Sequence, residues 1–212
     1  MVRCAIEFLT GQPTLGYLDS STLDRLTIAD QCKTHTVDMQ KPTIWKYHGS
    51  QSEDINNMTD ILQNEGKLIL IVRNPIECLI RHNGKLKFLD WVSDNKHSKE
   101  IQYFSNNIEF YYNYGGKKMI VYYEDCIVGD NDIWRKIGYF FKSTSDRIEE
   151  FLKTKDDVLS ISLNNYPDCQ SGGQQVLYYT NQLDSNQLTK AWNKIENASN
   201  NILHKEIVER YI

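Results

Sequence analysis

Apolar side chains along this chain follow two rhythms, and each predicts a different element. Val2, Ala5, Ile6 and Leu9 recur at helical spacing, so residues 1–10 read as a helix closed by Gly11 and Pro13. The same rhythm carries Ile101, Phe104, Ile108 and Tyr112, predicting a long helix over about 98–114 that Gly115-Gly116 stops. Ile133, Trp134, Ile137, Phe140 and Phe141 predict a helix capped by Asp130 or Asn131. A further helix with Ile55, Met58, Ile61 and Leu62 on one side starts at Ser50 or Ser52 and ends at Gly66, and Ser20 or Ser21 caps a short one through Leu26 to Asp30. The other rhythm is unbroken. Leu68 to Val72 is a short β-branched run, which reads as a strand buried on both faces. Lys118 to Tyr123 is the next strand and Pro42 to Tyr47 a shorter candidate, while Gly11 to Tyr17 reads as a turn-rich connection. After Phe141 the chain reads as helical apart from a polar loop over 166–175. Strands alternating with helices predict an α/β fold with a mainly parallel sheet flanked by helices.

Composition narrows the function classes. The 212 residues suffice for one domain with a real core, so 1–212 is read as a single domain. A net charge of −4 gives no electrostatic footprint for nucleic acid, so a phosphate site would be a local feature. No apolar run reaches the length of a membrane span, and the signal-peptide pattern is missing. The five cysteines are odd in number and scattered, which predicts reduced thiols and a cytoplasmic location.

The segment after the apolar strand holds the strongest candidate chemistry. Arg73-Asn74 stands at the strand's carboxyl end, and Pro75 suits the first position of a helix running through Arg81, with Asn74 as its N-cap. Ligands of open α/β sheets bind at that end of the strands, and a helix N-terminus there favours an anion. A guanidinium adds a planar donor fork suited to phosphate. The bland alternative is an arginine paired with a carboxylate such as Glu77 or Asp125.

Arg73-Asn74-Pro75 after a hydrophobic strand resembles the Arg-Asp/Asn-Pro segment of sulfotransferases that use 3′-phosphoadenosine 5′-phosphosulfate (PAPS). Lys46-Tyr47-His48, after Pro42-Thr-Ile-Trp45, resembles that family's Lys-x-His, and Met119 to Asp125 resembles its later strand ending in Tyr-Glu-Asp. The three motifs occur in the family's order, so the resemblance covers most of the chain. It implies a sulfotransferase-like fold of the P-loop nucleotide-binding type, PAPS as cofactor, and transfer of a sulfuryl group to an acceptor hydroxyl or amine, sugars among the candidates. Arg73 would hold the 3′-phosphate and Tyr123 would lie near the adenine. His48 would be the general base and Lys46 would stabilise the leaving phosphate, roles suited to an imidazole and an ammonium.

The chain also departs from the pattern. It opens on a helix and contains no glycine-rich phosphate loop, so the expected domain is N-terminally truncated, without the first strand and the 5′-phosphosulfate loop. Arg81 replaces the family's serine eight residues after Arg73. It is either a longer-reaching second phosphate ligand or a solvated helix residue. Ser171, Gly172 and Gly173 offer backbone N–H groups to a phosphate, or form an ordinary surface loop. His35 in Lys33-Thr34-His35 imitates the base motif without a preceding apolar strand. Cys32-x-x-His35 alone is weak as a zinc site, so no metal is expected. The competing reading is a non-catalytic relative that keeps the fold as a binding or assembly module. A nucleotide kinase fits less well, having neither a Walker lysine nor a magnesium pair here.

Overall fold

The computed structural model describes residues 2–15, 37–42, 44–45, 66–94, 99–164, 179–198, 207 and 209–211. These are mixed α/β and divide into two compact units, Met1–Tyr47 with Glu124–Val176, and His48–Tyr123 with Leu177–Ile212.

In the first unit, helix α1 (Val2–Thr10) buries Val2, Ala5, Ile6 and Leu9, the apolar stripe expected from spacing. It packs on helices spanning Asn131–Phe140 and Ser145–Asn164. Their shared core centres on Trp134 and Phe151, whose rings meet edge to face at 5.5 Å. Asp130 caps the first of these helices, accepting from the Asp132 N–H at 2.8 Å. Strand β1 (Thr14–Leu15) pairs in parallel with β2 (Ile44–Trp45). The second of these strands lies within the expected run, whereas the first falls in a predicted turn, because two residues are too few to display an alternation. Glu7, fully buried, accepts from the Thr14 N–H and hydroxyl and so ties α1 to that strand. Arg3 Nε donates to the Thr14 hydroxyl at 3.0 Å.

The second unit holds the apolar strand, β3 (Lys67–Val72), paired in parallel with β4 (Lys117–Tyr122) from Lys67↔Lys117 to Val72↔Tyr122. Three helices connect them: α2 (Pro75–Asn83), α3 (Lys85–Ser93) and α4 (Lys99–Asn113). Gly84, at φ 79°, turns the chain between the first two. The long helix buries Ile101 and Ile108 and half-buries Phe104 and Tyr112, as its spacing predicts. Lys118 Nζ donates to the carbonyls of Tyr111, Tyr112 and Tyr114, ending that helix and starting the strand. Leu70, Val72, Ile120 and Tyr122 face Ile108 and Phe104. A second cluster joins Ile76, Ile80 and Phe88 to Trp192 and Ile195 of the helix Ser185–Ala198.

Two expectations change. The strand is not buried on both faces: Val72 is buried but Ile71 is 45% exposed. Among the described residues β3 pairs only with β4, and alternation sends Ile71 away from the face that α4 covers. The later strand ends at Tyr122, and Tyr123 opens a short helix, Tyr123–Val128. The helices expected between residues 20 and 65 and the loop at 166–175 lie outside the described residues. No described helix is long and apolar enough to cross a membrane.

Candidate functional site

The turn after β3 forms as its sequence dictates. Asn74 is the N-cap, its Oδ1 accepting from the Glu77 N–H at 3.1 Å, and Pro75 occupies the first helical position. The Cys78 N–H donates to the Asn74 carbonyl at 3.0 Å, the first bond of the helical ladder. Proline has no N–H, and the Glu77 N–H is spent on the cap. Ile76 is therefore the first-turn residue whose amide is committed neither to the cap nor to the ladder.

Arg73 stands immediately before this cap. Its guanidinium carbon lies 4.7 Å from the centroid of the Tyr123 ring, a cation–π distance. The strand register accounts for the meeting. Val72 and Tyr122 are partners, so Arg73 and Tyr123, the residues that follow them, leave the two strands at the same level. The Arg73 Nε is buried and donates no hydrogen bond to the described residues. Arg73 makes no ion pair among the described residues, so the bland pairing with Glu77 is not formed.

Glu77 instead serves Arg81. The Arg81 Nε donates to Glu77 Oε1 at 2.9 Å, and a terminal guanidinium nitrogen lies 2.7 Å from the same oxygen. The other carboxylate oxygen accepts from the N–H groups of Tyr179 and Thr180, each at 3.0 Å, and from the Thr180 hydroxyl at 3.1 Å. Burying a carboxylate completely is costly unless it is hydrogen-bonded in this way. The Arg81 guanidinium also lies 5.3 Å from the Tyr179 ring centroid. Arg81 is thus part of a buried lock between α2 and the turn Thr180–Gln182, so it is no solvated helix residue.

The structure therefore brings Arg73 and Tyr123 together and gives Arg81 a separate network. Lys46, His48, Ser171, Gly172 and Gly173 lie outside the described residues, as do Cys32 and His35. Among the described residues no three His, Cys, Asp or Glu side chains cluster closely enough to hold a metal ion. Sequence reasoning missed Glu77 as the organiser of the lock. Its signal was Asn74-x-x-Glu77, a capping spacing that puts an acid at the third helical position. Chemically, the site offers one arginine, a ring beneath it, and a helix N-terminus whose dipole favours negative charge. Comparison with protein-family models, curated proteins and solved structures returns no match.

Proposed function

We propose that the Arg73 turn is the 3′-phosphate site of a PAPS-dependent sulfotransferase, one that moves a sulfuryl group from PAPS to an acceptor hydroxyl or amine. The reading takes the fold to be of the P-loop nucleotide-binding type. One observation carries it: a guanidinium with no carboxylate partner among the described residues, at the carboxyl ends of two parallel strands and beside a capped helix start. Bound phosphate would be met by charge-assisted bonds from that guanidinium. His48 as general base and Lys46 as stabiliser of the leaving phosphate belong to the proposal on their motif alone. In-line transfer needs positioning and charge stabilisation from these groups.

Isothermal titration with adenosine 3′,5′-bisphosphate tests the proposal. The intact chain should bind, and Arg73→Ala should lose about 10- to 100-fold in affinity, the worth of a hydrogen bond to a charged group. His48→Ala should abolish sulfuryl transfer from PAPS while leaving that affinity unchanged. No heat from the intact chain contradicts the reading. A second reading, a non-catalytic sulfotransferase-like binding or assembly module, draws on Arg81, which stands in place of the family's serine and is committed to Glu77. Bisphosphate binding without any transfer would favour it.

A further inference from the structure

We infer that Tyr123 is the positioning residue of Arg73, and that the ring face it turns to Arg73 is no platform for the nucleotide base. The resemblance alone puts this tyrosine beside adenine. The geometry gives the face another occupant, since the guanidinium carbon sits over the ring at 4.7 Å. A base cannot stack where the guanidinium already lies. The ring instead does for Arg73 what a carboxylate does for Arg81. It fixes the plane of the cation, but it does so without neutralising it. The distinction decides what each arginine can do. Arg81 is paired with a buried acid, whereas Arg73 has no acidic partner among the described residues and so suits an external anion.

Arginine is suited to this arrangement. Its guanidinium packs by a face on an aromatic ring while its N–H groups point outward in the plane. The Arg73 Nε is the buried end of the fork and donates to none of the described residues, so the ring's hold comes from packing and the cation–π attraction. The two residues follow a strand pair in fixed register, Val72↔Tyr122, so their meeting is set by the sheet.

The inference rests on the reading of Arg73 as the phosphate arginine, and two ligands separate its failure from the failure of that reading. Tyr123→Leu and Tyr123→Phe would each be titrated with adenosine 3′,5′-bisphosphate and with inorganic pyrophosphate, which has no base. Leucine should weaken both ligands by the same factor, about three- to thirtyfold, the worth of a cation–π contact. Phenylalanine keeps the ring and should bind both as the parent does. If leucine weakens the nucleotide and leaves pyrophosphate untouched, the tyrosine stacks the base and the inference falls. If leucine changes neither, it falls as well. Should the parent chain bind neither ligand, the function reading fails, and the side-chain Nε–H resonance of Arg73 still decides the positioning. A resonance displaced in Tyr123→Leu and retained in Tyr123→Phe supports it; one unmoved in both overturns it.

Discussion

At the scale of single residues, the second unit sorts two arginines into two kinds of work. Arg81 and Glu77 form an ion pair in which the acid is fully buried and also carries the Tyr179 and Thr180 amides. Removing one partner from such a pair leaves a buried charge uncompensated, at a cost of about 3–5 kcal/mol. Arg81→Ala should therefore lower the unfolding free energy by roughly that amount in a urea titration. It should leave the affinity for adenosine 3′,5′-bisphosphate within about twofold of the parent, because a structural arginine supplies no ligand contact. Arg73→Ala should behave in the opposite way, with little loss of stability and most of the loss in binding. If Arg81→Ala abolishes binding in a chain that remains folded, the division between the two arginines is wrong.

At the scale of elements, helix packing in the first unit depends on one glycine. A Cβ at Gly138 would come within 2.6 Å of Ile148 Cγ1, where the helices Asn131–Phe140 and Ser145–Asn164 cross. Ile148 is itself fully buried, so it has little room to yield. Gly138→Ala should thus destabilise the protein by about 1–3 kcal/mol despite alanine's better helix propensity, as read by the thermal midpoint. A rise in that midpoint would contradict a tight crossing at Gly138. This element also marks what the sequence could convey. The stripe Ile133, Trp134 and Ile137 announces a helix and its buried face, as Ile101 and Ile108 do for the long helix, because helical periodicity is local. The cap at Asn74 and Pro75 was legible for the same reason: it needs neighbours within one turn. What was not legible is long-range. Glu77 meets Thr180 across 103 positions, Arg73 meets Tyr123 through a strand register, and no local spacing encodes either contact. The exposure of Ile71 was hidden likewise, since an apolar run does not say which of its faces another element covers.

At the scale of the whole molecule, the ionisation of buried groups sets how stability responds to alkali. Burial pushes the Cys126 thiol up to about 12 from its ordinary 9, with Asp125 and Glu124 adding to the effect, so the folded chain keeps this proton where the unfolded chain releases it. The contribution is fully present below about pH 9 and is lost as pH rises through the folded value. Unfolding free energy should therefore fall between about pH 9 and about 12, by at most roughly 1.4 kcal/mol per pH unit from this group. Burial also raises Tyr111 and Tyr114, which act in the same direction. Lys194 is lowered by burial and opposes them below the ordinary lysine value. The difference in slope between the parent and Cys126→Ala isolates the thiol. Equal slopes in urea unfolding across that range would contradict its protonation in the fold.

Whether the turn beginning at Arg73 grips the phosphate of a nucleotide is decided by a crystal structure of the chain with adenosine 3′,5′-bisphosphate. The 3′-phosphate should lie within hydrogen-bond distance of the Arg73 guanidinium, with that guanidinium still resting on the Tyr123 ring and Arg81 still bound to Glu77. A nucleotide bound elsewhere, with Arg73 untouched by it, would contradict the account.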